Sequence, residues 1–180
     1  MVNKKENIDY WREVYIEHKF REQDLTGANF ENIEFIDSEF IDCNLSMSIF
    51  NNAKIHNVKF RNCKLQGIDF TKTHKLVIDM DFNDCYISEC NFSGLDINKI
   101  TFAGSRIMNS DFVNTNLKKA DFRNVQFNDV VFHNAEMTKA NFLGATGYQI
   151  NPNTNNIKNA IFELPEAVSF LNYLEIIIRG

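Results

Sequence analysis

Large apolar residues recur at every fifth position along most of this chain. The stretch ADFRNVQFNDVVFHNAEMTKANF, residues 120–142, shows the pattern clearly, with Phe122, Phe127, Phe132, Met137 and Phe142 in phase. Neither an α-helix nor an ordinary strand buries side chains at this interval, because their periods are about 3.6 and 2 residues. The pattern therefore predicts a tightly coiled backbone that repeats every five residues.

The same period runs through most of the chain with one interruption. Its other centres are Phe20, Leu25, Phe30, Phe35, Phe40, Leu45, Phe50, Ile55, Phe60, Leu65 and Phe70, and then Val77, Phe82, Ile87, Phe92, Ile97, Phe102, Ile107, Phe112 and Leu117. The segment TKTHKL, residues 71–76, adds two residues between the two series. We expect this slip to be a small local bulge that leaves the later repeats in register.

A second selected position lies two residues before most centres, and its residues are mostly small. They are Ala28, Cys43, Ser48, Ala53, Val58, Cys63, Cys85, Cys90, Ser105, Ser110, Thr115, Ala120, Val125, Ala135 and Ala140. The repeating unit is therefore small, polar, large apolar, polar, polar. A small inward residue beside a large one is what a tight coil can pack.

This unit resembles the A-(D/N)-L-x-x repeat of the pentapeptide-repeat family, most closely at residues 28–30, 120–122 and 140–142. The resemblance extends over residues 20–162. It implies an all-β fold, a right-handed quadrilateral β-helix with four repeats, or about 20 residues, in each coil.

The distribution of phenylalanine independently supports a coil of this length. One predicted face carries Phe20, Phe40, Phe60, Phe82, Phe102, Phe122 and Phe142, and the opposite face carries Phe30, Phe50, Phe70, Phe92, Phe112 and Phe132. Rings stacked at the strand spacing of about 4.8 Å attract one another in offset pairs. About six to seven such coils would form a rod of about 30 Å, in which each coil is stabilised by its neighbours.

Both ends depart from the repeat and set the predicted domain bounds. Residues 1–19 lack small residues at the proper places and are expected to cap a β-helix spanning residues 20–146. Residues 147–163 are expected to form a loop and a partial last coil, and residues 164–180 a helix and a strand. Pro165 and the apolar spacing favour the short amphipathic helix, and Ile176–Ile178 is too apolar for a free tail. The simplest partner for this segment is a second copy of the chain.

A narrower resemblance concerns the tail, AIFELPEAVSFLNYLEIIIRG, together with residues 43–50 and 63–70. These segments resemble the quinolone-resistance branch of the same family. The resemblance implies a homodimer formed through the tail, and a partner, DNA gyrase or topoisomerase IV, that is protected through mimicry of duplex DNA. The dimer interface inferred from the tail comprises Phe170, Leu171, Leu174, Ile176 and Ile178.

Catalysis, cofactors and small-molecule substrates are not expected. The four histidines are dispersed, and no nucleophile elbow, glycine-rich phosphate loop or tightly spaced metal-ligand pair is present. All four cysteines occupy the small inward position, which favours packing over a metal or redox role. We find no leader-like or membrane-spanning pattern, so we expect a cytoplasmic protein without a membrane partner.

The net charge of the chain argues against nucleic acid as a direct ligand. It also indicates that any mimicry of duplex DNA depends more on shape than on charge. The chain has a net charge of -5, whereas 30 Å of duplex DNA carries about 18 negative charges. The face through Phe30 and Phe132 holds three acids, Glu31, Asp69 and Asp111, which are the candidate partner-binding residues. The alternative is a structural interaction scaffold with an unidentified protein partner and no effect on topoisomerases.

Overall fold

The computed structural model describes residues 13–174 and residue 176, and it is a parallel β-solenoid of about six turns. The strands are β1 (Val14–Ile16), β2 (Lys19–Arg21), β3 (Glu34–Ile36), β4 (Glu39–Ile41), β5 (Lys54–Arg61), β6 (Lys64–Gln66), β7 (Ile78–Asn83), β8 (Tyr86–Ser88), β9 (Arg106–Met108), β10 (Asp111–Val113), β11 (Gln126–Asn128) and β12 (Val131–His133). Two 3₁₀-helices span Phe70–Lys72 and Glu166–Tyr173. The predicted solenoid class is thus confirmed.

Most strands pair with the strand one coil later, in parallel and at an offset of 20 residues, as in Phe20 opposite Phe40. The coil therefore has four faces of five residues. Face 1 is centred on Phe20, Phe40, Phe60, Phe82, Phe102, Phe122 and Phe142; face 2 on Leu25, Leu45, Leu65, Ile87, Ile107 and Phe127; face 3 on Phe30, Phe50, Phe70, Phe92, Phe112 and Phe132; face 4 on Tyr15, Phe35, Ile55, Ile78, Ile97, Leu117 and Met137.

The corners between faces explain the abundance of asparagine. Twenty non-glycine residues have a positive φ, between 46° and 67°, and each lies two positions after a centre. L-residues resist this left-handed conformation, and Asn and Asp tolerate it best. Accordingly, nine of the twenty are Asn and four are Asp. We call the residue two positions after a centre the corner residue.

The core consists of two continuous ladders of phenylalanine rings. On face 3, Phe92 stacks on Phe112 with ring centroids 4.8 Å apart and an interplanar angle of 3°. On face 1, Phe102 stacks on Phe122 at 5.3 Å and 1°. The two ladders meet edge to face across the interior, as in Phe92 and Phe102. Stacked pairs along the axis and T-shaped pairs across it are both favourable arrangements of aromatic rings.

The small inward residues contribute hydrogen bonds as well as room. Ser48 Oγ donates to the carbonyl of Leu25 at 3.0 Å, and Thr115 Oγ1 donates to that of Phe92 at 3.1 Å. The Cys63 thiol makes the equivalent contact with the carbonyl of Phe40 at 3.3 Å. Ser, Thr and Cys are therefore interchangeable here as small side chains that carry one donor.

The predicted slip is a loop, but its register differs by one residue from the sequence prediction. Ile78, rather than Val77, pairs with Ile55, and the Ile55 amide donates to the Val77 carbonyl at 3.0 Å. The prediction of Val77 as a centre was therefore wrong. The loop adds three residues and the following repeat is one residue short, so Phe82 returns to the ladder above Phe60.

The repeat begins before Phe20, inside the segment predicted to be the N-terminal cap. Tyr15 is buried, and β1 pairs in register with β3, so that Tyr15 stacks on Phe35 at 5.5 Å. The predicted cap residues 1–12 lie outside the described part of the chain. The described rod therefore starts with Tyr15 on face 4.

At the other end, the Glu166–Tyr173 helix covers the last coil. Phe162 extends the face 1 ladder from Phe142 at 4.8 Å, and Phe170 lies edge-on against Phe162 at 4.7 Å. Tyr148 also contacts Phe170, at 5.9 Å. The helix thus closes the hydrophobic core with an aromatic side chain. The predicted strand is not formed at Ile176, and Ile177 and Ile178 lie outside the described residues.

Candidate functional site

The outward positions of the four faces are the surface on which a function can reside, because the inward ones are filled by core. A surface groove of about 530 Å³ lies at the N-terminal end between Glu13, Glu31, Glu34 and Lys54. It is open and holds no nucleophile with an adjacent base. Among the described residues no group of three His, Cys, Asp or Glu side chains could hold a metal ion.

The cysteines lie in the core, as their position in the repeat predicts. All four are buried and free. Burial raises the pKa of Cys90 to about 12. The Cys43 thiol lowers the pKa of Cys63, but Cys85 and burial outweigh it and raise that pKa to about 12. Because a thiol that stays protonated at neutral pH is a poor nucleophile and metal ligand, the environment of Cys63 and Cys90 favours packing.

The three candidate acids on face 3 are exposed but do not form one cluster. Asp69 accepts hydrogen bonds from the backbone amide and hydroxyl of Thr71 and so caps the first 3₁₀-helix. Glu31 lines the N-terminal groove, two coils before Asp69. Asp111 lies in β10, two coils further on. The structure therefore spreads these acids along the length of the rod.

Acidic residues are concentrated instead at the N-terminal end of the rod. Residues 13–45 contain nine acids and two bases, a net charge of -7, although the whole chain carries only -5. Two corners flanking face 1 carry exposed acids in successive coils: Glu17 and Asp37 at one corner, and Glu22 and Asp42 at the next. Sequence reasoning missed this concentration, which a count of charge by segment would have found.

Some of the N-terminal acids are neutralised within the rod. Glu39 pairs with Lys19 at 3.1 Å and with Arg61 at 3.8 Å, and the hydrogen bond from Lys19 holds the pKa of Glu39 below its usual value. Asp37 and Asp42 instead accept hydrogen bonds from the amides of Asn57 and Asn62, each at 2.6 Å. Because an amide donor is uncharged, it does not neutralise a carboxylate, and these corner acids still attract positive charge.

Positive charge accumulates at the opposite end, on the corner between faces 4 and 1. Lys99, Lys119 and Lys139 occupy this corner in three successive coils, with φ of 67°, 61° and 63°. Lys118 and Lys158 each lie one residue before a position of this same corner. All five side chains belong to exposed residues. We call these five residues the lysine ridge. Sorting the charges by face places Lys118, Lys119 and Lys139 together but does not show that the ridge follows one corner.

The proposed dimer residues occupy different environments. Leu174 and Ile176 are exposed by 45% and 54%. Phe170 packs against the last coil of its own chain, and Leu171 is partly buried. Ile178 lies outside the described residues. Exposed apolar residues continue around this end of the rod at Leu143, Ile161, Leu164 and Val168.

Comparison with known proteins supports the repeat over most of its length. A model of the pentapeptide repeat region matches residues 17–75 and 77–151. No protein of established annotation matches the sequence. No helix in the described part of the chain is long and apolar enough to cross a membrane.

Solved structures of one fluoroquinolone resistance protein share this fold at low sequence identity. Two trypsin-treated variants of QnrB1, a plasmid-mediated fluoroquinolone resistance protein, superpose with a TM-score of 0.55. They are 18% and 17% identical to this chain, cover 93% and 92% of it, and are themselves covered over 99% and 95% of their length. HetL, a protein of heterocyst differentiation regulation from the cyanobacterium Nostoc sp. strain PCC 7120, has a TM-score of 0.31, 12% identity, and coverage of 82% of this chain and 86% of its own.

Proposed function

Because this chain belongs to the pentapeptide-repeat family, we propose that it is a non-enzymatic rod that binds DNA gyrase or topoisomerase IV in place of DNA. The shared fold with QnrB1 and the tail resemblance motivate this choice of partner. The observation that supports it best is the concentration of acidic residues in the first coils, which answers the objection that a net charge of -5 is too small.

The charge density of those coils is comparable to that of duplex DNA. Residues 13–45 span about one and a half coils, or about 8 Å of rod at the strand spacing. Their net charge is -7, or -5 when Lys54 and Arg61, which pair with Glu34 and Glu39 of this segment, are included. Duplex DNA carries one negative charge per about 1.7 Å, or about five over the same length. A protein surface that binds phosphates would therefore meet a comparable field at this end, and a much weaker one elsewhere.

We also propose that two rods associate through their C-terminal ends. Leu174 and Ile176 expose apolar side chains there, and an exposed apolar patch at the end of a solenoid is a typical contact surface. Phe170 supports this contact indirectly, by closing the core of its own chain. In such a dimer the two acidic ends would point away from each other.

The test is a titration of the purified protein into DNA gyrase supercoiling assays, with and without a fluoroquinolone. Rescue of drug-inhibited supercoiling would support topoisomerase protection, and inhibition without rescue would support a regulator that occupies the DNA gate. An absence of either effect would reject the proposal in favour of an interaction scaffold with another protein partner.

Two sets of variants locate the contact surface. Neutralising the four corner acids, by Glu17→Gln, Glu22→Gln, Asp37→Asn and Asp42→Asn, is expected to abolish the effect on gyrase while preserving the fold. Neutralising Glu31, Asp69 and Asp111 is the matched comparison. If only the second set abolishes the effect, the contact lies on face 3 rather than at the N-terminal corners.

A further inference from the structure

We propose that the lysine ridge is a second docking surface, which binds an acidic α-helix of a protein partner lying parallel to the rod axis. The ridge is made by Lys99, Lys119 and Lys139 at one corner, with Lys118 and Lys158 beside them. It lies toward the other end of the rod from the acidic corners, so the proposal goes beyond topoisomerase binding.

The backbone does not account for lysine at this corner. At a positive φ, Asn, Asp and Gly are favoured, and these residues occupy most other corners of the rod. Lysine appears at no other left-handed corner, yet it appears at this one in three successive coils. Repeated use of a residue type that the left-handed backbone does not favour, at one corner, is a feature expected of functional surfaces.

Neighbouring side chains do not account for the lysines either. Within the described part of the chain, none of the five lies within 4.0 Å of a carboxylate oxygen, whereas Lys19, Lys54, Arg61 and Arg123 each do. The nearby carboxylates have other partners: Asp96 accepts from Asn98 and Asn116. The lysines of successive coils therefore repel one another. This repulsion lowers the free energy of unfolding unless a partner neutralises the charge.

Glu136 is a carboxylate that is influenced by the positive charge of the ridge. Burial opposes its ionisation, but hydrogen bonds from Thr138 and Asn156 and the charge of Lys118 outweigh burial and lower the pKa of Glu136. Its carboxylate oxygens are engaged by the Thr138 amide at 2.9 Å and the Asn156 side chain at 2.7 Å. The carboxylate is thus attracted by the ridge without pairing with it.

The spacing of the ridge fits a helix better than an extended segment. Successive coils beneath it are separated by about 5 Å, as measured by the ring pairs Phe102–Phe122 at 5.3 Å and Phe122–Phe142 at 4.8 Å. One turn of an α-helix rises 5.4 Å, so carboxylates on one helix face stay opposite lysines over three coils. Same-face residues of a strand are about 6.7 Å apart and lose register after one.

Duplex DNA is the less favourable occupant of the same positive surface. The whole chain is acidic, with a net charge of -5, and the N-terminal coils would repel a duplex that extended along the rod. A single helix can be short enough to meet only the ridge. The proposal therefore commits to an acidic helix, and DNA binding is an outcome that would overturn it.

The experiment measures fluorescence anisotropy of labelled peptides titrated with the full chain. One peptide, of about 18 residues to give five helical turns, carries glutamates alternately three and four residues apart along one face. The control peptide has the same composition with its glutamates dispersed around the helix. We expect the first peptide to bind more tightly, and its affinity to fall with added salt, because screening lengths shorten from about 10 Å at 0.1 M to 3 Å at 1 M.

The decisive variant replaces all three corner lysines, by Lys99→Asn, Lys119→Asn and Lys139→Asn. Since asparagine suits the left-handed corner, the variant should unfold at the same or a higher temperature than the native protein. Three exposed charge pairs correspond to roughly a tenfold loss of peptide affinity. This opposite movement of stability and binding is what a purely structural role for the lysines would not produce.

Two control variants separate charge from backbone effects. Glu89→Asn relieves another left-handed corner, with φ of 54°, and Lys64→Gln removes a cation from face 2; neither should change peptide binding. Equal binding of the two peptides, unchanged affinity of the triple variant, a less stable triple variant, or tighter binding of a duplex oligonucleotide than of the peptide would each overturn the proposal. The gyrase assay does not depend on the ridge, so the two proposals fail separately.

Discussion

At the scale of single residues, the corner position decides which side chains the fold accepts. Its backbone amide donates to the next coil, as in Asn114 to the carbonyl of His133 at 2.8 Å, while its φ of 55° places it in the left-handed region. Asparagine tolerates this conformation, and glycine adopts it without steric cost. The nine Asn residues at left-handed corners are therefore explained by the fold rather than by a binding site.

Asn114 offers a direct test of this requirement. Asn114→Ala should lower the free energy of unfolding by about 1 kcal/mol, since left-handed backbone costs an ordinary L-residue about 1–2 kcal/mol. Asn114→Gly should change it far less. Urea unfolding of the two variants measures the difference, and equal stabilities would show that the corner conformation is not under strain.

At the scale of the strands, stability comes from stacking between coils. The strands are mostly three residues long and gain their order from rings above and below. Phe92 is fully buried, stacked between Phe70 at 4.9 Å and Phe112 at 4.8 Å, and touched edge-on by Phe82 and Phe102. A gap in such a ladder can be filled only by moving neighbouring coils.

Phe92→Ala should therefore destabilise the protein by about 3–5 kcal/mol, the range for large-to-small substitution of a buried aromatic residue. Chemical denaturation followed by far-ultraviolet circular dichroism gives the value. A suitable comparison is Val131→Ala, which truncates an exposed residue on the same face of the coil and should cost much less. A loss under about 1 kcal/mol for Phe92→Ala would contradict a close-packed ladder.

The five-residue period was enough to predict the solenoid, its coil length and the phenylalanine ladders, because each depends on which residues point inward. It was not enough where the chain departs from the period. Val77 and Ile78 are equally apolar, so only the hydrogen bond to Ile55 distinguishes them. The tail spacing likewise suggested an α-helix, whereas Phe170 lies in a 3₁₀-helix and contacts Phe162 of its own core. A dimer contact at Phe170 stays a prediction.

The surface was less predictable than the core. Partner-binding acids were chosen by face, and that choice selected Glu31, Asp69 and Asp111, which lie in separate coils. Corner residues project between two faces, and their columns appear only when the chain is wound into coils. The acids Glu17 and Asp37 and the lysine ridge share one corner, which is evident when residues 20 positions apart are aligned coil by coil.

At the scale of the whole molecule, the rod has two chemically different ends. One bears the corner acids, and the other bears the lysine ridge and an apolar rim that includes Leu174 and Ile176. A dimer formed through the apolar rim would bring two lysine ridges toward its centre and leave the acids at its tips. Each end can then be tested without disturbing the other.

Leu174→Asp should convert such a dimer into a monomer, because a charged side chain would be buried in an apolar contact. Light scattering measures the mass, and circular dichroism checks that the coil is intact. Lys72→Asp, a change of charge on an exposed residue of a different face, is the control and should leave the mass unchanged. A native protein that is already monomeric at micromolar concentration would reject the dimer.

The loop at residues 71–77 has a consequence for how such chains can change in length. Extra residues are expelled at a corner, and Phe82 returns to its place above Phe60, so local insertions do not alter the distance between the two ends. Only the gain or loss of an entire turn moves those ends, in steps of about 4.8 Å. The distance between the acidic and basic surfaces can therefore change only by whole coils. We expect duplication of four repeats at a time, rather than point mutation, to adjust this distance to a partner of different size.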